Sequence, residues 1–266
     1  MEIGIFGLGA IGGALHRYLK ANKENRFKLF DPSRGHKDDM RSCDMYFLCV
    51  PVPNLPNGLQ DYSNIDKCLY LLDTKKPVFC RSTVLPGTCD RFSIHAMPEF
   101  LTEGQADADV AKIPWVFGSK VKEGDCPAQT CLEQIQNGAE VSTLVIRRTN
   151  IEAEYLKYFH NALLSLKNTA MNMFFDFYQF KNPYESDKGF QRIADLLPIS
   201  GLISKSHLQI MHKGKRGFNG KCLPKDLKAL LKYMIKSEFK AHGLLFLVHS
   251  YNKMLLTKQG LDLDFA

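Results

Sequence analysis

Hydrophobic and polar positions follow two regimes along the chain. Through the first 148 residues, short apolar runs at 2–6, 26–30, 44–50, 77–82, 92–97, 115–118 and 140–146 are separated by Gly, Pro, Asn and Asp. Such bounded runs read as strands. Between them lie helical stretches, one after Gly12 through Leu15 and Leu19 and one over 127–136. Strands alternating with helices predict an α/β unit with a doubly wound parallel sheet over 1–148.

From Asn150 the period changes. Phe159, Leu163, Leu166, Ala170, Met173, Phe174 and Phe177 recur at steps of three and four and predict a long helix over 150–179. Asn150 is placed to cap it, and Glu152 and Glu154 complement the dipole of its first turns. The opposite face carries Glu154, Lys157, Asn161, Ser165, Asn168 and Asn172. A polar stripe of this kind ordinarily faces solvent. Lys157 and Asn161, four residues apart, are also spaced to hold a single oxyanion. Residues 182–212 read as helices broken near Pro183, Pro198 and Gly201, with further helices at 226–235 and 244–256, so 149–266 is expected to be an all-α domain.

The first turn carries recognisable chemistry. The strand at 2–6 runs into Gly7-Leu8-Gly9-Ala10-Ile11-Gly12 and then a helix, the context a dinucleotide-binding fingerprint requires. Gly7 makes the turn, Gly9 admits the pyrophosphate, and Gly12 lets helix pack on strand, with Ala10 and Ile11 opening the helix toward the phosphates. Asp31 ends the second strand about 20 residues past Gly12, where an acidic residue takes the ribose hydroxyls of NAD. Arg34 is suited to a 2′-phosphate instead, but Asp31 would repel it. NAD is the expected cofactor of a Rossmann-type sheet.

In such sheets ligands collect at the carboxyl ends of the strands. Three later strands end there in Cys49-Val50-Pro51-Val52-Pro53, in Arg81-Ser82-Thr83, and in Met97-Pro98-Glu99-Phe100-Leu101-Thr102-Glu103. All three segments are also turn formers.

The second stretch with its own chemistry is Gly217-Phe218-Asn219-Gly220-Lys221-Cys222-Leu223-Pro224-Lys225-Asp226. Pro224 suits a first helical turn, which places Cys222 at a helix N-terminus between Lys221 and Lys225. Positive dipole and positive side chains favour a nucleophilic thiolate. A cysteine is otherwise a small apolar residue, and the chain has eight of them.

Composition narrows the classes. With 45% hydrophobic and 24% charged residues the chain is of ordinary globular make-up. No apolar run approaches a membrane span and no secretory leader opens the sequence, so a cytoplasmic setting with reduced thiols is expected. The cysteines lack metal-site spacing, and no metal is expected. The net charge of +7 is dispersed except around Lys213, Lys215, Arg216, Lys221 and Lys225, beside Cys222. That cluster suits a phosphate-bearing small molecule better than a nucleic acid, and it also reads as a solvated basic loop.

Six motifs in order, GLGAIGG, CVPVPN, RSTVLPGT, MPEFLTEGQADAD, EAEYLKYFHN and GFNGKCLPKD, resemble those of the nucleotide-sugar 6-dehydrogenases, typified by UDP-glucose dehydrogenase. The resemblance spans nearly the whole chain. It implies NAD-dependent, four-electron oxidation of a sugar C6 alcohol to a carboxylate, with UDP-glucose to UDP-glucuronate the expected case. Cys222 corresponds to the nucleophile that forms a thiohemiacetal and then a thioester. Lys157 and Asn161 correspond to the pair stabilising oxyanions, Thr83 and Asp226 to residues holding a water, and Glu99 to a general base. Phe100, Leu101 and Glu103 resemble a substrate-gripping segment, while Val50, Pro51, Ser82, Thr83 and Lys225 fall at the cofactor. A homodimer through the long helix is expected, because its Phe- and Met-rich stripe would otherwise be exposed.

The departures are specific. Members of the family usually carry a further nucleotide-binding domain, which these 266 residues are expected to lack. The link from Asp31 to the next strand is short. Lys213-Gly214-Lys215-Arg216 replaces a proline turn, Asn219 replaces a glycine and Lys221 a small residue, so Lys215, Arg216 and Gly217 are expected to supply phosphate contacts. Lys205 is a candidate for the basic residue that the family's partner subunit contributes. Two other readings remain open: a hydroxyacid dehydrogenase of the 6-phosphogluconate type, which has no need of Cys222, and a non-catalytic module binding NAD or a sugar nucleotide that needs a separate chain.

Overall fold

The computed structural model describes residues 1–120, 124–137 and 142–261. Residues 140 and 141 of the strand expected at 140–146 lie outside them. The chain divides into two compact units, Met1–Pro53 with Gln60–Lys157, and Asn54–Leu59 with Tyr158–Ala266.

The first unit contains β1 (Glu2–Phe6), α1 (Ala10–Leu19), β2 (Arg26–Asp31), a 3-10 turn (Pro32–Arg34), β3 (His36–Lys37), β4 (Met45–Leu48), α2 (Ser63–Leu71), β5 (Val78–Cys80), α3 (Thr88–Phe92), β6 (His95–Ala96), α4 (Ala106–Lys112), β7 (Trp115–Gly118), α5 (Pro127–Gln134) and β8 (Val145–Arg148). Six strands form one sheet in the order β3-β2-β1-β4-β5-β6. All neighbours are parallel except β3, which folds back antiparallel on β2 after the short link. Alternate residues feed opposite layers, as the strand period demands. Met45 and Phe47 join Leu15, Leu19, Val110 and Leu132 on one face, while Tyr46 and Leu48 join Ile65, Cys68 and Cys89 on the other. Both faces are covered by helices, which is why these strands are continuously apolar.

The expected strands are altered in two ways. The run at 92–97 shrinks to β6 because the residues before it form α3, whose first amides, at Gly87 and Cys89, donate to the carboxylate of Glu154 at 2.6 and 2.8 Å. An acidic side chain at a helix N-terminus stabilises that turn. The strands β7 and β8 pair with each other rather than joining the main sheet. Asn150 is the cause. Its Oδ1 accepts from the amide of Ala96 at 2.8 Å, and a Cβ on Gly118 would lie 2.2 Å from the same oxygen, so the side chain occupies the space a β6–β7 ladder would need.

The long helix α6 spans Asn150–Lys181. Asn150 does not cap it; Thr149 does. The Thr149 hydroxyl accepts from the Glu152 amide, and Glu152 accepts in return from the Thr149 amide, a reciprocal capping box. The helix is inverted relative to the ordinary amphipathic pattern. Glu154, Lys157, Asn161, Ser165, Asn168 and Asn172 are buried, whereas Phe159, Leu163, Met173, Phe174 and Phe177 are exposed.

The second unit continues with α7 (Asp187–Leu196), a 3-10 turn (Leu197–Ser200), the hairpin of β9 (Met211–His212) and β10 (Lys215–Arg216), α8 (Leu223–Lys236), a 3-10 turn (Lys240–His242) and α9 (Gly243–Thr257). Lys213 and Gly214 both have positive φ, the backbone a tight two-residue hairpin turn requires. Met171 and Phe175 of α6 pack with Phe190, Ala194, Leu208 and Ile210. The inward polar face of α6 is hydrogen-bonded, partly within the helix and partly to distant segments. Ser165 Oγ donates to the Asn161 carbonyl at 2.9 Å, Asn172 Nδ2 to the Asn168 carbonyl at 3.0 Å, and Asn168 Nδ2 to the Gln209 carbonyl at 3.2 Å. Buried amides and hydroxyls are tolerable on these terms.

Candidate active site

In the first unit the parallel register brings the ends of β1, β2, β4, β5 and β6 to one edge. The glycine loop behaves as its spacing predicts. Gly7 has φ +83°, and a Cβ there would sit 2.6 Å from the Cys49 carbonyl oxygen. A Cβ on Gly12 would approach the Gly7 carbonyl oxygen to 1.9 Å, while the Cβ position of Gly9 has no atom within 4 Å. Ala10 and Ile11 open α1. The carboxylate of Asp31 accepts from the Leu8 amide at 2.8 Å, which ties the end of β2 to the loop. Val50 and Pro51 follow β4, and Ser82 Oγ donates to the Val50 carbonyl at 2.6 Å. Thr83 is half-buried, and its carbonyl accepts from Gln60 Nε2 at 3.0 Å. A tight loop with one open glycine, a helix N-terminus beyond it and a fixed carboxylate fit a dinucleotide.

After β6, Glu99 is buried and forms an ion pair of 3.2 Å with Lys157 Nζ. Its other oxygen accepts from the Leu101 amide at 2.7 Å, and Lys157 lies over the Phe100 ring at 5.3 Å from the centroid. Glu99, Phe100 and Leu101 line a small recess with Arg81, Asp109 and Trp115; Glu103 is exposed. Arg81 is buried at that recess, with Nε and Nη1 unpaired. It opens the RSTVLPGT motif, where the sequence alone assigned it no role.

In the second unit Cys222 sits at the start of α8, with Pro224 in the first turn. Among the eight cysteines, none disulfide-bonded, Cys222 is the exposed one. Burial pushes the Cys43 thiol up to about 11 and those of Cys49 and Cys68 up to about 12. Those thiols are protonated packing groups. The first turn of α8 is fixed by Asp226, whose amide donates to the Cys222 carbonyl at 2.9 Å. The buried carboxylate of Asp226 accepts from Asn161 Nδ2 at 2.7 Å and pairs with Lys225 Nζ at 2.5 Å. Lys225 is thereby held against Asp226. On α6, Lys157 precedes Asn161 by one turn.

The basic residues ahead of Cys222 are not equivalent. Lys215 is half-buried in β10. The guanidinium of Arg216 is engaged within the unit: Nε and Nη2 donate to Asn172 at 3.1 Å, Nη1 pairs with Asp176 at 2.7 Å, and the group lies over Phe175. It holds the hairpin to α6, whereas the sequence suggested a phosphate contact. Gly217 has φ +82° and faces Asn252, whose amide exchanges two hydrogen bonds with Phe218 at 2.9 and 3.0 Å. Asn54 Nδ2 donates to the Lys225 carbonyl at 2.8 Å. Sequence reasoning passed over Asn252 and Asn54, although Asn54 closes the CVPVPN motif. Lys205 is exposed.

No family model matches the chain. In sequence it is 29% identical over 235 residues to a UDP-glucose 6-dehydrogenase of Rickettsia typhi, a match covering 81% of this chain and 50% of that protein. The chain spans about half the length of the curated relatives it matches. In fold it is similar to a solved UDP-glucose dehydrogenase from Pyrobaculum islandicum, with a TM-score of 0.73 at 21% identity, covering 97% of this chain and 71% of that one. It is also similar in fold to a 3-hydroxyisobutyrate dehydrogenase of Mycobacterium tuberculosis, with a TM-score of 0.67 at 15% identity over 98% of this chain and 96% of that one. In sequence the chain is similar to nucleotide-sugar 6-dehydrogenases over about four-fifths of its length, and its fold is similar to that of solved dehydrogenases.

Proposed function

We propose that the chain oxidises the C6 alcohol of a nucleotide sugar to a carboxylate, with UDP-glucose as the first substrate to test. The observation that carries this reading is the hydrogen bond from Asn161 to Asp226, one turn past Cys222, which fixes the exposed cysteine's helix start to α6. A hydroxyacid dehydrogenase of the 6-phosphogluconate type shares the fold and the helix lysine but leaves Cys222 and this tether without work.

The overall reaction consumes one sugar alcohol, two NAD and one water, and yields the acid, two NADH and protons. Gly7, Gly9, Gly12 and Asp31 with Val50, Pro51, Ser82 and Thr83 would hold NAD, which when bound would supply the hydride acceptor. Glu99 takes the alcohol proton in the first oxidation. The Cys222 thiolate then adds to the aldehyde carbon, and the carbonyl oxygen takes up the negative charge of the thiohemiacetal. Lys157 and Asn161 donate to that oxygen, each contributing about 3–4 kcal/mol in sites of this kind. Loss of the second hydride leaves a thioester on Cys222. Water cleaves it, releasing the acid and the thiol, with Asp226, one turn past Cys222, to orient that water. Phe100, Leu101 and Glu103 border the substrate, and Lys215 with Gly217 meets its phosphates.

The exposed apolar face of α6 is the proposed contact between two copies of the chain, since a stripe of phenylalanines in water marks an interaction surface. Among the described residues no helix is long and apolar enough to cross a membrane. NADH formation from a panel of nucleotide sugars tests the reading.

A further inference from the structure

The chain reaches Cys222 through a segment whose backbone is gripped by two carboxamides. The Arg216 amide donates to Gln259 Oε1 at 2.8 Å, and Gln259 Nε2 returns a hydrogen bond to the Arg216 carbonyl at 3.1 Å. At the next residue but one, the Phe218 amide donates to Asn252 Oδ1 at 2.9 Å, and Asn252 Nδ2 donates back to the Phe218 carbonyl at 3.0 Å. A carboxamide offers an acceptor and a donor side by side, as a peptide unit does, so these side chains stand in for a neighbouring strand. Asn252 is buried within α9, and Gln259 lies just past the end of that helix. Gly217, between the gripped residues, has φ +82°, and a Cβ there would sit 2.5 Å from Asn252 Oδ1. Only glycine lets the Asn252 amide come this close. Tyr251, beside Asn252, donates to Asp176 of α6, the carboxylate that also pairs with Arg216 Nη1. Asn219, Gly220 and Lys221 then lead to Cys222, and the Cβ position of Gly220 is open.

We propose that Asn252 and Gln259 are positioning residues for the second oxidation, fixing the backbone ahead of Cys222 so that its sulfur meets the aldehyde carbon before the aldehyde leaves. The inference rests on the reading of Cys222 given above. The first hydride transfer needs no thiol. Thiohemiacetal formation needs the sulfur in place while the aldehyde is present, and a misplacement of about 1 Å can cost about a hundredfold in such a step. A loosened segment therefore changes the partition between the two oxidations as well as the stability of the fold.

NADH yield per sugar tests this, measured on the full chain with UDP-glucose, or with whichever UDP- or GDP-sugar the unaltered protein oxidises. Released aldehyde is trapped with hydroxylamine and identified by mass spectrometry, at a temperature where circular dichroism shows the proteins folded. Asn252→Asp and Gln259→Glu keep the side-chain shape but set a carboxylate oxygen, which cannot donate, against the Phe218 or Arg216 carbonyl. The unaltered protein should give two NADH per sugar and no trapped aldehyde. Each variant should release aldehyde, with the yield falling toward one NADH per sugar and acid formation slowed roughly tenfold or more. A merely structural role would lower the melting temperature and leave the yield at two. Two NADH per sugar from the folded variants, or loss of the first NADH together with the second, overturns the proposal. If Asn252→Asp fails to fold, Gln259→Glu, at a half-buried position beyond the helix, decides by the same readings. No acid from the unaltered protein, or acid formed at an undiminished rate by Cys222→Ser, overturns the reading of Cys222 instead.

Discussion

Lys157 Nζ lies 3.2 Å from Glu99 Oε1, and each side chain is only 6% exposed. An ion pair so placed is a weak source of net stability, because desolvation offsets much of the attraction, but removing one partner strands the other. Lys157→Met should therefore destabilise the chain by about 3–5 kcal/mol. Adding Glu99→Leu should restore most of that loss, while dehydrogenase activity stays absent in both variants. Urea denaturation of the single and double variants measures this. A double variant no more stable than the single one would show that the pair is not the buried unit described.

The glycine loop separates folding from binding. Gly12→Ala puts a methyl group 1.9 Å from the Gly7 carbonyl oxygen, which the backbone cannot absorb without moving. Gly9→Ala puts it in open space. Gly12→Ala should lower the melting temperature and abolish NAD binding; Gly9→Ala should melt normally yet bind NAD at least about tenfold more weakly, since the methyl stands where the pyrophosphate approaches. Calorimetric titration beside a thermal melt distinguishes the two. Full NAD affinity in Gly9→Ala would remove the pyrophosphate from this loop.

Asp31 makes folding depend on acid. Burial alone would raise its carboxyl, but the hydrogen bonds from Ser33, the Leu8 amide and Arg34 outweigh it and hold the group down to about 2, against an ordinary 3.8. The native carboxylate thus contributes stability that is present above pH 3.8 and is lost as pH falls through about 2. Solvent screening keeps this below the roughly 2 kcal/mol that about 1.4 kcal/mol per pH unit would give. Asp31→Asn should flatten the stability curve across that window in denaturation series between the two pH values. A variant curve parallel to that of the unaltered protein would contradict the assignment.

Leu163 and Phe177, each 64% exposed, lie on the outward face of α6. Changing both to glutamate should turn a dimer into a monomer in sedimentation velocity runs at micromolar concentration, with little loss of helix content. An unaltered chain that sediments as a monomer would refute the proposed contact.

Much of the first unit was legible before any coordinates. The apolar run at 2–6, the three glycines and Asp31 each follow from backbone rules that leave few alternatives, and the structure reproduces the strand, the turn and the end of β2. The start of α8 at Cys222 was legible for the same reason, through Pro224. The orientation of α6 was not. Periodicity resolves two faces but cannot say which is buried when the polar face finds its partners far along the chain, as Asn161 does in Asp226 and Asn172 in Arg216. Asn150 misled for a related reason: a residue favoured at a helix cap was drawn instead into the gap beside β6, and Thr149 took the cap. Arg216 reads as a surface cation until Asp176 is known to face it.

The central claim is that Cys222 carries the sugar carbon between two oxidations. Its most direct test is NADH formation with UDP- and GDP-sugars by the unaltered chain and by Cys222→Ser, with the sugar product identified by mass spectrometry. The account predicts two NADH for each sugar consumed and a free carboxylate product with at least one of them, and no acid from Cys222→Ser. Acid formed at an undiminished rate by Cys222→Ser, or no NADH from any nucleotide sugar while NAD binds, would contradict it.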